Sequence, residues 1–224
     1  MNTRSKTELI KKSLIIWGKS HFRNFPWRIS KDPYRIMIAE FMLHRTKAEQ
    51  VVPVYNEFIL RYPDIFSLSC EDYSDLKMVT EHLGLHWRAR HFIEAAKYIV
   101  EKYDGKFPKT TEELRSIPGF GEYITGAICT ICLKRPYPVV DSNIARFIAR
   151  VYGIESSGEL RRNKEIIELA RSLFKVRAPG QFLFSILDFT AEVCVARNPH
   201  HSVCPFKNIC LYIANERNRT IKRD

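Results

Sequence analysis

The stretch Ile117-Pro118-Gly119-Phe120-Gly121-Glu122-Tyr123 is the most informative part of this chain. A Pro-Gly-x-Gly turn lies here between two apolar segments, and glycine permits backbone angles that a side chain would forbid. Such a turn can present backbone N–H groups to a phosphate. We therefore predict that Pro118, Gly119 and Gly121 form a phosphate-binding hairpin. An ordinary helix–helix corner is the alternative, because short motifs of this kind also occur in other loops.

Helices are predicted on both sides of the turn. Thr110 and Glu113 have the spacing of a capping box, which starts a short helix that Pro118 ends. The apolar body of the second helix consists of Ala127, Ile128, Ile131 and Leu133. We therefore predict a helix-hairpin-helix over residues 111–133. Asp141 follows Tyr123 by eighteen residues, and we expect its carboxylate to face the nucleotide whose phosphate the hairpin binds.

The charge of the chain is strongly positive, with 36 Lys and Arg residues against 25 Asp and Glu residues and a formal net charge of +11. This excess favours a polyanionic partner, although charge alone does not distinguish DNA, RNA and a membrane surface. No segment approaches the roughly twenty apolar residues of a membrane span. Lys11 and Lys12 interrupt the N-terminal segment, which is therefore not a signal peptide. We expect a soluble protein of the cytoplasm without a membrane partner.

The spacing of residues is helical nearly throughout. Three segments show the three- or four-residue repeat of a helix face: Leu14 and Trp17; Ile36, Glu40, Leu43 and Lys47; Phe92, Ala95, Ala96 and Ile99. Sustained alternation, which is typical of strands, is absent. The predicted fold class is all-α. The 224 residues, 45% of them hydrophobic, suffice for one large core or two small lobes, and residues 217–224 are predicted to form a frayed basic tail.

An array of soft and borderline metal ligands lies near the C-terminus, made of Cys194, His201, Cys204 and Cys210. Six, two and five residues separate its successive members, which predicts one metal site. A disulfide framework is not expected in a chain without a secretion signal. His200 is the alternative to His201 as a ligand. Cys129 and Cys132 have the spacing of a redox pair, but buried free thiols suit their place in the apolar second helix better.

Several stretches of the chain follow one another in an order that is specific as a combination. They are Phe25-Pro26-Trp27-Arg28, Asp32-Pro33-Tyr34, Ala39 to Thr46, Leu83-Gly84-Leu85, Ile117 to Tyr123, Val140 to Asn143 and the cysteine array. This order resembles the helix-hairpin-helix-Gly/Pro-Asp (HhH-GPD) DNA glycosylase superfamily, to which endonuclease III and MutY belong. The resemblance covers the chain roughly from Leu14 to Cys210.

The resemblance implies two all-α lobes with a DNA-binding cleft, a helix-hairpin-helix and a C-terminal metal-cluster loop. We expect residues 1–24 and 135–224 to form one lobe, which carries the metal-cluster loop at 194–210, and residues 25–134 to form the other. The implied partner is double-stranded DNA with a mismatched or damaged base, and the implied place in the cell is the nucleoid. We expect a monomer whose product passes to an AP endonuclease.

One position separates the chemistries within the superfamily. Endonuclease III-like enzymes carry a lysine after the hairpin, and its amine attacks the sugar and cuts the strand through a Schiff base. Tyr123 occupies that position here, so AP-lyase activity should be absent or weak. MutY-type adenine glycosylases usually carry serine, whereas tyrosine resembles the archaeal-type thymine mismatch glycosylases. His44-Arg45-Thr46 is also closer to the Arg-Arg-Thr of that group than to the Gln-Gln-Thr of adenine enzymes. The chain ends soon after the array, so we expect no extra domain for 8-oxoguanine.

These features predict a monofunctional DNA glycosylase that flips a thymine or uracil opposite guanine and hydrolyses its N-glycosidic bond. Asp141 is the candidate carboxylate that stabilises positive charge on the deoxyribose and orients or deprotonates water. Asn143 fixes that aspartate or donates to a phosphate, and a helix N-cap is its alternative role. Glu40 would hydrogen bond the departing base if burial keeps its carboxyl neutral. The alternative is a surface glutamate paired with His44.

Two further residues are candidates for contact with the opened duplex. Arg45 aligns with the wedge that fills the space left by the flipped base, and a solvated helix charge is the alternative. Trp87, which follows Leu83-Gly84-Leu85, either enters from the other strand or belongs to the core.

His201 departs from the family pattern, in which four cysteines hold a [4Fe–4S] cluster. Iron–sulfur centres accept histidine, so we expect a [4Fe–4S] cluster with Cys₃His ligation, and a structural Cys₃His zinc site is the alternative. Three other functions stay open: an adenine glycosylase acting opposite guanine or 8-oxoguanine, an oxidised-pyrimidine lyase, and a non-catalytic helix-hairpin-helix DNA-binding protein. A redox protein would leave Asp141 and the hairpin unexplained.

Overall fold

A computed structural model describes residues 1–83, 86–155 and 158–221, without the side chains of residues 82, 86–88 and 217–221. Every regular element in these ranges is helical, which confirms the predicted all-α fold class. The α-helices are α1 (Thr3–Ser20), α2 (Pro33–Leu43), α3 (Ala48–Arg61), α4 (Ile65–Ser69), α5 (Tyr73–Thr80), α6 (His86–Tyr103), α7 (Thr111–Arg115), α8 (Glu122–Ala127), α9 (Ser142–Tyr152), α10 (Lys164–Leu173), α11 (Pro179–Glu192) and α12 (Leu211–Ile221). Among these described helices, none has the length and apolar character needed to cross a bilayer.

Several shorter helical turns join these helices. They are the 3₁₀ turns Pro26–Arg28, Glu81–Leu83, Leu160–Arg162 and His201–Val203 and the π-helical turn Ile128–Cys132. The chain divides into two compact units, one made of Met1–Arg23 with Lys134–Asp224 and the other of Asn24–Leu133. The helix-hairpin-helix belongs to the continuous unit. Asp141 and the cysteine array belong to the unit that is built from both chain ends.

The core of the continuous unit is organised around α2. The Asp32 side chain accepts a hydrogen bond from the Tyr34 N–H group at 3.0 Å, and proline suits the first helical position at Pro33. Residues 36–42 are all buried, because α2 packs against α3, α6 and α8. The Phe41 ring lies 5.1 Å from the Phe92 ring and 5.9 Å from the Phe120 ring. A helix segment that is enclosed in this way carries each of these seven side chains into the core, including a polar one.

The unit built from both chain ends is organised around α9. This helix begins at its N-cap Asp141 and ends at Gly153, whose φ of 71° is the left-handed conformation that favours glycine after a helix. Its apolar face packs against α10, α11 and α12. Along α1, Gly18 lies so close to Ser185 of α11 that no side chain fits at this position. The fully buried Asp188 accepts a hydrogen bond from Arg23 Nε at 2.6 Å, which fixes the end of α1 to α11.

Candidate functional site

The predicted hairpin joins α7 to α8. Thr110 caps α7 as predicted, because its hydroxyl accepts a hydrogen bond from the Glu113 N–H group at 3.3 Å. Gly119 has a φ of 81°, which confirms that this turn requires glycine. A Cβ atom added to Gly119 would lie 3.1 Å from the Phe41 ring and 3.2 Å from His91 Cβ. The turn is therefore tight and is held against the core of its own unit.

Gly121 does not have the backbone conformation that we expected. Its φ of −94° and ψ of −177° are those of an extended residue, which any amino acid can adopt. Among the described residues outside its immediate neighbours, none comes within 4 Å of the place where a Cβ atom would stand. Gly121 therefore leaves open space at the start of α8, and this glycine does not serve to avoid strain.

Tyr123 is the second residue of α8 and is half-buried. The helix continues into the π-helical turn Ile128–Cys132, so that the predicted apolar body is buried at Ala127, Ile128 and Ile131. Cys129 is buried and Cys132 is half-buried, and both are free thiols. The segment after the hairpin is therefore a helix that anchors Tyr123 to the core.

Glu40 lies in the core of the continuous unit, with 8% of its surface exposed. The alternative of a surface glutamate is therefore wrong, and the physical reason is that α3, α6 and α8 pack against residues 36–42 of α2. Burial, together with the charges of Asp32, Cys129 and Glu40, raises the pKa of the Cys132 thiol to about 12. The Glu40 carboxyl thus lies within electrostatic reach of a half-buried thiol in surroundings of low polarity.

The segment after α2 breaks the helix that we predicted over Ile36 to Lys47. The last helical residue is Leu43, and the Thr46 N–H group returns to the Leu43 carbonyl oxygen at 3.2 Å. Arg45 has a φ of 62°, in the left-handed region, and the side chains of His44 and Arg45 are exposed. Arg45 is therefore an exposed charge, as its alternative role required, but it lies outside the helix. The side chain of Trp87 lies outside the described residues.

Both oxygens of the Asp141 carboxylate accept a hydrogen bond. Oδ1 accepts from the Ile144 N–H group at 2.7 Å, and Oδ2 accepts from Asn143 Nδ2 at 3.0 Å. Asp141, and not Asn143, is the N-cap residue of α9. The backbone of the helix and the Asn143 amide together fix the orientation of the carboxylate.

Arg146 connects Asn143 to the cysteine array. Its Nη1 donates to Asn143 Oδ1 at 2.8 Å, and its Nη2 donates to the carbonyl oxygens of Cys194 at 2.9 Å and Thr190 at 3.2 Å. The Arg146 Nε also donates to the Cys194 carbonyl oxygen, at 3.2 Å. A continuous chain of hydrogen bonds therefore runs from the Asp141 carboxylate through Asn143 and Arg146 to the first cysteine of the array.

Arg150 lies one turn further along α9 and contacts the same loop. Its Nη1 is 3.6 Å from Cys194 Sγ and donates to the Val195 carbonyl oxygen at 2.6 Å, and its own carbonyl oxygen accepts from Cys210 Sγ at 3.4 Å. Neither arginine was among the predicted site residues. The signal that could have revealed them is the spacing of residues 143, 146 and 150, which places all three on one helix face after the aspartate.

Cys194, His201, Cys204 and Cys210 all line one small cavity. Phe147, Phe189 and Phe206 form much of its wall, with ring centroids 5.2–5.4 Å apart. His200, the alternative ligand, is exposed and does not line this cavity. The structure thus brings all four members of the predicted array together.

Burial governs the chemistry of these thiols. It raises the pKa of Cys204 to about 11 and also raises the pKa of Cys210, because a thiolate is poorly solvated inside the cavity. A bound soft cation would compensate the charge of such thiolates. In the described part of the chain, no three His, Cys, Asp or Glu side chains lie close enough together to hold a single metal ion.

Two stretches of the chain match known protein families. Residues 38–180 match the family of HhH-GPD superfamily base excision DNA repair proteins. Residues 194–210 match the iron–sulfur binding domain of endonuclease III.

Individual relatives match over most of the chain. A thymine-DNA glycosylase of Aeropyrum pernix is 33% identical over 95% of this chain and 98% of its own length. An adenine DNA glycosylase of Buchnera aphidicola is 31% identical over 92% of this chain and 59% of its own length. The structure of a thermostable thymine-DNA glycosylase superposes with a TM-score of 0.88 at 27% identity, covering 95% of this chain and 99% of that chain.

An endonuclease III trapped as a covalent intermediate with DNA shares the fold, with a TM-score of 0.80 at 17% identity over 97% of this chain and 100% of that chain. The hairpin, the capping aspartate and the cysteine-lined cavity are thus found in a chain that matches one family over most of its length. The chain belongs to the HhH-GPD superfamily of base excision DNA repair proteins, and it is a DNA glycosylase with an iron–sulfur binding domain.

Proposed function

We propose that the protein is a monofunctional DNA glycosylase that removes thymine or uracil paired with guanine by hydrolysis of the N-glycosidic bond. The observation that carries this proposal is Tyr123, in the first turn of α8 directly after the hairpin. A lyase of this superfamily needs an amine at this position to form an imine with the sugar, and a phenol cannot form one. Water is then the nucleophile that remains, and the DNA strand stays intact.

The choice of base rests on two further observations. His44-Arg45-Thr46 resembles the corresponding segment of thymine mismatch glycosylases, and relatives with thymine-DNA glycosylase in their names align over nearly their whole length. A flipped base costs less free energy when it is mispaired, which favours mismatches before any side chain reads the base.

Removal of adenine opposite guanine or 8-oxoguanine is the second candidate function. Glu40 is buried in α2, at the position where adenine enzymes carry a glutamate that protonates the purine. Relatives with adenine DNA glycosylase in their names also align with most of this chain. The same carboxyl could therefore act on either class of base.

Asp141 is the group that we assign to the sugar. Cleavage of the N-glycosidic bond develops positive charge on the deoxyribose, and a fixed carboxylate stabilises this charge without reorganisation. The hydrogen bonds from Ile144 N–H and Asn143 Nδ2 hold the carboxylate in one orientation. Its remaining lone pairs can orient or deprotonate the attacking water.

Glu40 is the group that we assign to the departing base. A base leaves with negative charge, which a hydrogen-bond donor stabilises. A carboxyl in apolar surroundings favours its neutral form, which can donate a hydrogen bond to a carbonyl oxygen or ring nitrogen. The burial of Glu40 among the apolar residues of α2 supports this role.

Other groups are needed to bind the DNA backbone and to fill the space that the flipped base leaves in the duplex. We assign phosphate binding to Pro118, Gly119 and Gly121, because the hairpin is tight and the side of Gly121 is open. Arg45 is the proposed wedge, with His44 beside it, because its exposed guanidinium can stack and hydrogen bond to the unpaired guanine. The partner is double-stranded DNA with a mismatched base. A monomer is expected to suffice, and its abasic product to pass to an AP endonuclease.

A [4Fe–4S] cluster held by Cys194, His201, Cys204 and Cys210 is the cofactor that we propose. A zinc ion needs four donors within about 2.0–2.3 Å of one point, whereas in the described part of the chain no three His, Cys, Asp or Glu side chains lie close enough together to hold one ion. The aromatic wall and the match of residues 194–210 to an iron–sulfur binding domain support a shielded cluster rather than one ion. When bound, the cluster would supply structural stability to the loop from Cys194 to Cys210, which carries the exposed Lys207.

Single-turnover excision on end-labelled duplexes tests the proposed function. The duplexes hold G·T, G·U, G·A, 8-oxoguanine·A or thymine glycol, and each reaction is analysed with and without alkali. We expect alkali-dependent cleavage at the pyrimidine of G·T and G·U. Release of adenine would instead establish the second candidate, cleavage without alkali would identify a lyase, and no release from any duplex would indicate a DNA-binding protein.

The Asp141→Asn variant tests the proposed chemistry. Asparagine is also a good N-cap, so the fold should persist while base release is abolished and DNA binding is retained. Asp64→Asn is the matched control, because Asp64 caps α4 by accepting from the Ser67 N–H group at 2.8 Å. Unchanged turnover of Asp141→Asn would remove this aspartate from the mechanism.

The Tyr123→Lys variant tests the assignment as a monofunctional enzyme. An amine after the hairpin can form an imine with the sugar, so we expect strand nicking to appear without alkali. Borohydride trapping should then yield a covalent protein–DNA adduct that the unmodified protein does not form. Failure of the lysine variant to form this adduct would contradict the role assigned to the position of Tyr123.

A further inference from the structure

The ring of His201 lies close to a carboxylate. It also lines the cavity that the three cysteines line. His201 Nδ1 lies 3.4 Å from Oε2 of Glu216, which is on α12. The Tyr212 ring packs edge-on against the imidazole at 6.0 Å between centroids. The side chain of His201 is 33% exposed and that of Glu216 is 42% exposed. The Nδ1 edge of the imidazole thus lies beside α12, and the side chain lines the cavity with the three cysteines.

The contact with Glu216 decides which ring nitrogen remains for a metal. A neutral imidazole carries its proton on one nitrogen and a lone pair on the other. A carboxylate beside Nδ1 favours the proton on that nitrogen, which leaves the lone pair on Nε2. Histidines that ligate metals usually donate their other N–H group to a carboxylate, a carbonyl oxygen or water in this way, and the contact makes the imidazole a stronger ligand.

We propose that His201 ligates the cluster through Nε2 and that Glu216 is a positioning residue that holds the imidazole in this tautomer. This inference deepens the proposed function and rests on the iron–sulfur cluster assigned there. It distinguishes His201 from His200, which is exposed and does not line the cavity. Under this proposal, α12 contributes the residue that positions one ligand of the metal centre.

The ligand set has a consequence for the charge of the cluster. A neutral imidazole in place of a thiolate removes one negative charge, and the Arg150 guanidinium lies 3.6 Å from Cys194 Sγ. Arg150 is itself held over the Tyr212 ring at 4.8 Å from its centroid. Less negative charge around iron raises the reduction potential, as histidine ligation does in other iron–sulfur centres. Glu216 acts in the opposite direction, because it strengthens electron donation by the imidazole.

Pulsed EPR of the reduced cluster tests the ligand directly, in full-length protein that carries isotopically labelled histidine. We expect a directly coordinated nitrogen in the unmodified protein, its loss in His201→Cys, and its retention in His200→Ala. Absence of this nitrogen signal from the unmodified protein, or its loss in His200→Ala, would overturn the assignment of His201. Zinc instead of iron in the purified protein would overturn it as well.

The role of Glu216 is tested by Glu216→Gln, with the nitrogen coupling and the reduction potential as readouts. We expect the nitrogen coupling to change and the potential to rise, whereas His201→Cys should lower the potential. If Glu216→Gln has the same nitrogen coupling and the same reduction potential as the unmodified protein, Glu216 does not position the imidazole. If Glu216→Gln does not retain the cluster, Glu216→Asp is judged by the same criteria. These readouts do not involve base release, so the excision assay tests the proposed glycosylase function separately.

Discussion

At the scale of single residues, the backbone of Arg45 is unusual for its side chain. Its φ of 62° places a long, exposed residue in the left-handed region, which costs about 1–2 kcal/mol for residues other than glycine. Such conformations persist where the surrounding structure or a function requires them. The location directly after the enclosed helix α2 suggests that the turn presents Arg45 to a partner outside the protein. DNA is the partner that the family and the net charge indicate.

Replacement of Arg45 by glycine separates stability from function. Glycine relieves the left-handed strain of the folded state but also increases the conformational entropy of the unfolded chain. The first effect should be the larger, so the free energy of unfolding should rise by up to about 1 kcal/mol. Base excision should fall at least about tenfold, because a charge-assisted contact to the opened duplex is lost. Chemical denaturation and single-turnover excision measure the two effects. Asp104→Gly, at a φ of 52° in another exposed turn, is the matched control: its excision should not change, and an equal loss there would contradict the role of Arg45.

The two hairpin glycines should respond differently to alanine. Gly119→Ala should destabilise the fold by about 1–2 kcal/mol, because its φ is 81° and its side chain would crowd Phe41. Gly121→Ala should leave stability unchanged, since open space surrounds the added methyl group. It should nevertheless weaken DNA binding about tenfold if a phosphate approaches this backbone closely. Thermal unfolding and fluorescence anisotropy measure these effects, and normal DNA affinity of Gly121→Ala would remove this side of the turn from the interface.

At the scale of secondary structure, α9 links the carboxylate to the cysteine loop. Its N-terminus is capped by Asp141, and its next turns carry the arginines that hydrogen bond the backbone around Cys194. Because one helix holds both groups, we expect a change in the loop to alter the orientation of the carboxylate. The cluster loop is therefore expected to influence base excision without contacting the base.

Arg146→Lys tests this link. A lysine ammonium lacks the planar fork with which Arg146 reaches Asn143 on one side and Cys194 and Thr190 on the other. We expect the single-turnover rate to fall by about tenfold, while DNA affinity and iron content persist, because one or two hydrogen bonds around the carboxylate are lost. Arg171→Lys, which affects an exposed pair with Glu168, is the control. A normal excision rate in Arg146→Lys would show that the chain of hydrogen bonds does not orient Asp141.

At the scale of the whole molecule, the net charge of +11 should dominate the strength of DNA binding. Each phosphate that a basic residue neutralises contributes about −0.9 to the slope of log affinity against log salt concentration. We expect a slope of about −3 or steeper, with similar values for G·T duplexes and fully paired duplexes. Anisotropy titrations between about 50 and 200 mM salt measure it. A slope near zero would contradict an electrostatic interface. If affinity depends on salt concentration only for G·T duplexes, the charges contact only the opened site.

Much of this architecture follows from short-range patterns. The cap at Thr110 and the left-handed glycine at Gly119 depend on neighbours within a few residues, so their spacing predicts them. The absence of alternating apolar residues predicted the helical class, which the described part of the chain confirms. The spacing of the array predicted a metal site, and the match to an iron–sulfur binding domain agrees with it. The break after Leu43 was not predicted, because the three- or four-residue spacing continued to Lys47.

What the sequence by itself determined is therefore local: helices, one obligatory glycine and a set of ligands at fixed spacing. Tertiary structure alone decided that Glu40 is buried, that Gly121 faces open space, and that His201 rather than His200 lines the cavity. It also joined Asp141 to Cys194 through Arg146, although 48 residues separate the arginine from that cysteine. The physical reason is that burial and hydrogen bonds between distant residues depend on how helices pack, and spacing along the chain carries no information about that packing.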